Sequence, residues 1–257
     1  MKPAKAVRNI SFFLILSAAL TFLPSEVKAD IAFVAASSAG AASGVLTLTI
    51  NKPTGTVQDD VMIASIGVRP NTATITPPSG WTLVRRINNT NSTASSLAVY
   101  SRVAGASEPA SYAWAFDTSA GSAGGIQTFS GVDTTTPIDV ENGQNTASGL
   151  THATPDVTTT VANTMIVTSH SFATSATWTP PTGMTEGFDV ASLAVPNVAG
   201  QSTEGNFALQ SAAGPTGTKT ATASNDADVG NTHILALKPV NPVNFGVTEP
   251  RRSQRGG

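Results

Sequence analysis

The string ATITPPSGWT at residues 73–82 returns about a hundred residues later as ATWTPPTGMT at residues 176–185. In each copy two prolines restrict the backbone, and the glycine that follows permits a tight reversal of the chain. The residue after that glycine is apolar in both copies, Trp81 in the first and Met184 in the second. The two strings are therefore either one binding motif used twice or the visible part of a duplicated folding unit.

The residues around the two strings favour duplication. Met62-Ile63 is matched by Met165-Ile166 at an offset of 103 residues, which is also the offset between the two strings. Further along, Ile126 is matched by Ile234 at an offset of 108. The changes of offset fall in loops, where insertions are tolerated. The alternative is chance similarity between two turns rich in threonine and proline.

Short apolar runs bounded by Gly, Pro, Asn and Ser recur along the chain, a spacing typical of sandwiches and barrels. VLTLTI (45–50) alternates strictly, DVMIASIGV (60–68) is apolar on both faces, and SYAWAFD (111–117) aligns three aromatic residues on one face. We predict an all-β fold, an antiparallel, jelly-roll-like β-sandwich built from two related halves. The quasi-repeats span about residues 45–132 and 155–240.

The first 29 residues have the features of a Sec-type signal peptide. Three basic residues precede an apolar run at 10–23, which is shorter than the roughly 20 residues that span a bilayer. Cleavage before Asp30 predicts a secreted protein, extracellular or on the cell surface, and an uncleaved anchor is the alternative. The domain is expected over residues 30–240, followed by a flexible basic tail at 241–257.

Charge and cysteine content exclude several classes of protein. Charged residues are only 12% of the chain, and no cysteine is present. Removing residues 1–29 takes away four of the 14 basic residues and one of the 16 acidic ones, which leaves a net charge of about −5. A nucleic-acid binder needs a basic surface instead. Thiol catalysis, iron–sulfur clusters, cysteine zinc sites and a lipoprotein thiol are excluded, and no membrane span is expected after cleavage.

Five segments follow one another through roughly residues 45–239: DDVMIASI, TPPSGWTLV, SRVAGASEPASYAW, FSGVDTTTPID and ILALKP. This series resembles a family of exported bacterial and phage-fibre-like β-sandwich proteins that is largely uncharacterised. The family pattern has a glycine where this chain has Asp59. The resemblance implies a jelly-roll-like module in surface, adhesin-like or appendage settings. The family carries no defined catalytic residues, so none is transferred.

The sequence offers little support for catalysis or for a bound metal. His152, His170 and His233 share no spacing typical of metal ligands, and the serines lack a G-x-S-x-G motif. Asp226 and Asp228, with neighbouring asparagines, could bind Ca²⁺, but the full calcium-loop spacing is absent, and an ordinary turn is the alternative. Acidic residues that could serve a glycosidase, or simply stabilise turns, are Glu108, Asp117, Asp133, Asp139, Glu186 and Asp189.

Four aromatic residues, Trp81, Trp114, Trp178 and Tyr112, are candidates for a sugar-binding platform, although core packing is the alternative for each. We predict a non-enzymatic structural or adhesive surface protein, without catalytic residues or a cofactor other than the Ca²⁺ considered above. A carbohydrate-binding module is the alternative function, and a secreted hydrolase is the third. The expected partners are further copies of the chain or a surface glycan. Residues 30–44 could add a strand to a neighbour's sheet.

Overall fold

A computed structural model describes residues 30–90 and 95–240 of the chain. The predicted signal peptide and basic tail lie outside these residues. Within them every regular element is a strand, so no helix of this part of the chain could cross a membrane. The first half contains β1 (Ala32–Ala41), β2 (Thr47–Asn51), β3 (Val61–Arg69), β4 (Ile75–Thr76), β5 (Thr82–Asn88), β6 (Ser96–Val103), β7 (Ser111–Phe116) and β8 (Gly121–Ser130).

The second half contains two more short strands than the first. Its elements are β9 (Ile138–Gly149), β10 (Thr151–Ala153), β11 (Thr158–Thr159), β12 (Thr164–Phe172), β13 (Trp178–Thr179), β14 (Thr185–Ala191), β15 (Ser202–Gln210), β16 (Gly214–Pro215), β17 (Thr220–Ala223) and β18 (Asp228–Leu237).

One topology occurs twice. The first half forms a five-stranded sheet in the order β1-β8-β3-β6-β5 and a three-stranded sheet β2-β7-β4. The second half forms β9-β18-β12-β15-β14 and β10-β17-β13, with a separate pair β11-β16. Each half has the strand order of a jelly roll, except that the fifth strand pairs with the sixth instead of the fourth. All ladders are antiparallel, so the predicted all-β antiparallel sandwich is confirmed, and each half forms a sandwich of its own.

The ladders correct one of the sequence matches. Ala64 lies opposite Ile126, and Thr168 lies opposite Ile234, so β3 and β12 correspond at an offset of 104 residues rather than 103. The predicted match treats Met62 and Met165 as equivalent, but their side chains lie on opposite faces, Met62 in the core of the first sandwich and Met165 in the core between the middle sheets. A shift of one residue turns every side chain of a strand over. The missing residue lies in the loop after each strand, where the second half is shorter by one.

The two Pro-Pro-x-Gly strings form the same turn, as their composition predicted. Trp81 N donates to Pro78 O at 3.3 Å, and Met184 N donates to Pro181 O at 3.0 Å. The glycines between them have φ of 83° and 80°, a region that side chains with a Cβ rarely adopt. The side chains of Trp81 and Met184 both pack into the cores of their own sandwiches.

The molecule is built of four layers, with a three-stranded sheet on each outside and the two five-stranded sheets face to face in the middle. The core between the two middle sheets contains Val61 and Ile63 from the first half and Met165 and Val167 from the second. Separate cores fill each sandwich, around Trp114 in the first and around Trp178 in the second. The alternating apolar faces of each middle sheet therefore serve two cores at once.

Arg69, at the end of β3, fastens the two halves together at one end of the middle layers. Its Nη1 donates to the carbonyl oxygens of Ala173 at 2.7 Å, Gly200 at 2.9 Å and Val198 at 3.2 Å. A guanidinium has no acceptor, so it is suited to gathering several carbonyls. The loop at residues 192–200 is thereby held against the first half, while Val195 and Val198 remain exposed on it.

The first and last described residues meet at the opposite end. Val240 N donates to Gly131 O at 2.9 Å, and a Cβ on Gly131 would lie 2.6 Å from Asp30 O. Ile31 is buried in the core between the middle sheets. Residues 30–44, for which the sequence predicted strand addition to a neighbour, contain β1, which pairs along its length with β8 of the same chain and lies at the edge of its sheet.

Candidate functional site

Because the two halves share one topology, each interior position of the second sandwich has an equivalent in the first. Matching the ladders pairs His170 with Ile66 and Glu204 with Ala98. The same matching pairs His152 with Leu48 of β2. The first sandwich is thus filled with apolar side chains where the second has ionisable ones, and it serves as an internal reference for what the fold itself requires.

Titratable side chains line up across the second sandwich. Asp189 of β14 lies opposite Glu204 of β15, which lies opposite His170 of β12. Residues directly opposite in antiparallel strands share a face, so this row points toward the three-stranded sheet. Glu204 and His170 have no exposed surface, and Glu204 Oε2 is 3.7 Å from His170 Nδ1, beyond hydrogen-bonding distance.

Burial keeps both members of this pair uncharged at neutral pH. It raises the pKa of the Glu204 carboxyl to about 8, with a further contribution from the charge of Asp189, and lowers the pKa of His170 to about 4. His170 Nε2 lies 3.2 Å from the carbonyl oxygen of Lys219, so the neutral ring donates from Nε2. Burial also raises the pKa of Asp189 to about 6, although Asp189 Oδ2 accepts from Trp178 N at 2.8 Å.

The other buried histidine of this sandwich lies among aromatic rings. His152 is 5.3 Å from Phe172 and 5.6 Å from Trp178 between ring centroids, and its Nδ1 is 2.5 Å from Thr146 Oγ1. Burial lowers the pKa of His152 to about 4. The ring is therefore neutral and takes part in the core as an aromatic body with a polar edge.

One end of the second sandwich opens into a groove of about 510 Å³. A smaller hollow of about 210 Å³ adjoins it and shares Thr182 and Lys219. Gln210 Nε2 stiffens the wall of the groove, since it donates to Thr159 Oγ1 at 2.9 Å and to Gly214 O at 3.0 Å. The groove offers the Lys219 side chain, the Gln210 amide and the apolar Leu209, which is 51% exposed.

In the first sandwich the same end is closed. Trp81 packs edge-on against Tyr112, with ring centroids 5.1 Å apart. Arg102 and Glu108 form a two-pronged ion pair with both N–O distances 2.9 Å, and Tyr112 donates its hydroxyl to Glu108 at 2.5 Å. Burial and the bond to Glu108 raise the pKa of Tyr112 far above its usual range, so this hydroxyl remains a donor.

The second half has smaller or more flexible residues at each of these positions. By the matched ladders, Arg102 and Tyr112 correspond to Ala208 and Lys219, and both of the latter line the groove. Met184 stands in place of Trp81. The groove therefore exists because the second sandwich lacks the aromatic and ion-pair closure that the first one has.

None of the four aromatic residues predicted as ligand candidates presents a ring at the surface. Trp81 and Trp178 are 6% exposed, Tyr112 is 2% exposed, and Trp114 is fully buried. Trp81 packs edge-on against Tyr112 and at a tilt against Trp114, and Trp178 packs edge-on against Phe172 with ring centroids 5.0 Å apart. Their position agrees with the alternative that the sequence left open, core packing, because a buried aromatic ring contributes large apolar area.

The aspartates considered for calcium are engaged in local hydrogen bonds. Asp226, with φ of 50°, accepts from Asn225 Nδ2 at 3.0 Å. Asp228 accepts from Val229 N at 2.7 Å. Among the residues that the structure describes, no three His, Asp, Glu or Cys side chains form a group that could hold a metal ion.

The other acidic candidates separate into two kinds. Asp133 accepts the backbone N–H groups of Thr135 and Thr136, as turn residues do, whereas Asp117 accepts the backbone N–H of Thr74 from a distant part of the chain. These bonds lower the pKa of both carboxyls. Asp139 accepts the backbone N–H of Thr160 at 2.6 Å. Asp189 is different, because it belongs to a strand and is half-buried beside Glu204.

No protein-family model, curated protein or solved structure matches the chain. The internal comparison between its two halves is therefore the available reference for its site. Glu204 and His170 stand where the first half has Ala98 and Ile66, and Lys219 stands where it has Tyr112. Glu204 lies in STEGNFALQ, a stretch whose polar letters do not alternate with apolar ones, so sequence reasoning passed over it.

Proposed function

We propose that this chain is a non-enzymatic structural or adhesive protein of an extracellular surface. The observation that supports it best is the placement of the reactive side chains. His152, His170 and Glu204, which acid–base chemistry would need, have no exposed surface, and the three tryptophans are buried. What faces the solvent is rich in serine, threonine and small residues. Such a body acts through its shape and its contacts with other molecules.

The resemblance noted in the sequence points the same way, since that family is found in surface and appendage settings. Four tightly packed layers without a disulfide also suit a rigid exported module, because the buried area replaces the stabilisation that small secreted domains take from cysteine. The predicted partners are further copies of the chain or a surface glycan, and self-assembly is the first to test.

The edge strand β5 provides a test of self-assembly. Leu83 lies on this strand and is 51% exposed, whereas its equivalent on β14 is Glu186. Charged side chains on sheet edges oppose edge-to-edge association. We expect the chain from residue 30 onward to form species larger than a monomer in sedimentation and electron microscopy, and Leu83→Glu to reduce their fraction severalfold.

Leu209→Glu is the matched control for that experiment, because Leu209 is also 51% exposed but lies at the groove. It should leave assembly unchanged. A purified chain that stays monomeric at high concentration and coats no surface would contradict the structural and adhesive proposal.

The groove of the second sandwich favours a second candidate function, binding of a carbohydrate. Its lining combines a lysine, an amide, backbone groups and apolar carbon, and none of its residues is aromatic. A sugar would therefore be held by hydrogen bonds and aliphatic contacts. We expect Lys219→Ala to lower the affinity for any glycan captured on an array by about tenfold. Lys238→Ala, outside the groove, should leave that affinity unchanged. An array without any signal would remove this candidate.

A further inference from the structure

The contacts between the two five-stranded sheets repeat across a two-fold axis. β1 contacts β14, and its counterpart β9 contacts β5, the counterpart of β14. In the same way β8 contacts β14 and β15, while β18 contacts β5 and β6. The two central strands, β3 and β12, contact each other. This reciprocity is the mark of the interface in a symmetric dimer.

Residues in equivalent positions meet at the centre of this interface. Ser65 Oγ is 2.6 Å from Ser169 Oγ, and Ser169 is the equivalent of Ser65. Four residues further along each strand, Arg69 reaches the carbonyl oxygen of its own equivalent, Ala173. In a two-fold dimer only residues on the axis contact their own counterparts, so the axis runs between β3 and β12 and along them.

Away from the axis the two sides of the interface are no longer alike. On one side Gln127 fills the space over two glycines of the second half, since a Cβ on Gly187 would lie 2.3 Å from its Nε2 and one on Gly205 would lie 2.9 Å from its Oε1. On the other side the equivalent of Gln127 is Leu235, which shares an apolar cluster with Val84 and Val99. Val84 and Val99 are the equivalents of the two glycines.

A second pair of contacts differs in the same manner. The ring of Phe188 covers Gly125, where a Cβ would lie 2.6 Å from the ring carbons. The equivalent contact on the other side is polar: Arg85 binds Glu141 at 2.7 Å and 2.9 Å, and His233 Nε2 lies 2.9 Å from the same carboxylate. Phe188 corresponds to Arg85, and Gly125 corresponds to His233.

We propose that the two halves form a fused dimer whose facing surfaces have diverged, so that each half pairs with the other and rejects a copy of itself. A pair of first halves would set the Gln127 amide against Val84 and Val99 and leave Arg85 without its carboxylate. A pair of second halves would set Leu235 over two glycines and leave the space of Gln127 empty. Both mismatches weaken an interface, the first by a clash at Gln127 and an unpaired Arg85 guanidinium and the second by voids.

The experiment uses the full chain with a protease site inserted in the loop at residues 133–136, which is cleaved after folding. We expect the two halves to remain together as a one-to-one complex in sedimentation and native mass spectrometry. Cleaved protein mixed with an isotopically heavy copy should exchange halves only into first-with-second complexes. Homodimers of either half, or separation into free halves, would overturn the proposal.

A double substitution tests the glycine contacts directly and also applies to the uncleaved chain. Gly187→Ala should weaken the cleaved complex by about tenfold or more, because its Cβ meets Gln127. In the Gln127→Ala background the same substitution should have little effect. Gly149→Ala is the control, since the nearest atom to its Cβ lies 3.8 Å away. If Gly187→Ala lowers the affinity of the cleaved complex, or the denaturation midpoint of the whole chain, by the same amount with and without Gln127, then this contact does not make the pairing selective.

Discussion

Replacing Trp114 by alanine is expected to lower the free energy of unfolding by about 3–5 kcal/mol. The indole is fully buried, and its ring lies 5.3 Å from Trp81, 6.3 Å from Tyr112 and 6.5 Å from Tyr100. Removing it leaves a cavity that three large rings cannot collapse into. The loss is measured as a lower midpoint in denaturant unfolding, with the slope unchanged.

Ala113→Ser is the control for Trp114→Ala. Ala113 is the neighbouring residue of β7 and points outward, so a change within about 0.5 kcal/mol is expected. A loss of less than 1 kcal/mol for Trp114→Ala would mean that the first sandwich tolerates an alanine there as readily as the second tolerates Ala221.

The second large effect concerns pH. The pKa of Glu204 is raised by burial to about 8, so the folded protein holds a proton that the unfolded chain releases near pH 4.5. The stability that accompanies this proton is fully present below the unfolded pKa and is lost as the pH rises through the folded one. Between about pH 4.5 and 8 the unfolded chain ionises this carboxyl while the folded protein keeps it protonated, so the free energy of unfolding falls by about 3–5 kcal/mol.

Glu204→Gln removes this titration while keeping the shape of the side chain. We expect the stability of this variant relative to the unsubstituted chain to rise steadily from pH 4.5 to pH 8 and to level off above that. Subtracting the free energies of unfolding of the two proteins at each pH cancels the titration of the buried histidines and of Asp189. The Asp189 carboxyl titrates in the same pH range as the expected change. Glu186→Gln, which changes an exposed carboxyl on the neighbouring strand β14, is the matched control. A flat difference for Glu204→Gln would mean that the carboxyl is ionised inside the fold.

The strands with the strongest patterns were predictable from the sequence. Residues 60–68 are apolar on both faces because β3 is central and serves two cores, and the alternation in residues 111–117 reflects a strand with a single buried face. β1 lies within the predicted domain but was not recognised as a strand of the repeat, since its alanines and serines have neither alternation nor strong strand propensity. Its place is determined by the ladder with β8, a contact between residues about ninety positions apart.

The candidate site was far less predictable than the fold. The offset of 103 that links the two proline turns is correct for the turns and wrong by one for β3 and β12, and that single residue decides which side chains face the interior. With the uncorrected match His170 is paired with Gly67. Only the corrected match shows that a buried histidine stands where the first half has the apolar Ile66. Glu204 and His170 are far apart in sequence, and only the pairing of β12 with β15 sets them side by side.

The meeting of residues 30 and 240 at Gly131 has a mechanical consequence. A force that pulls on both ends of the described chain acts at one corner of the molecule. The four layers therefore do not lie between the two points of attachment. The end farthest from that corner is the one where Arg69 secures the loop at 192–200. A tether at either end of the described chain is therefore attached at the opposite end of the middle sheets from the loop that exposes Val195 and Val198.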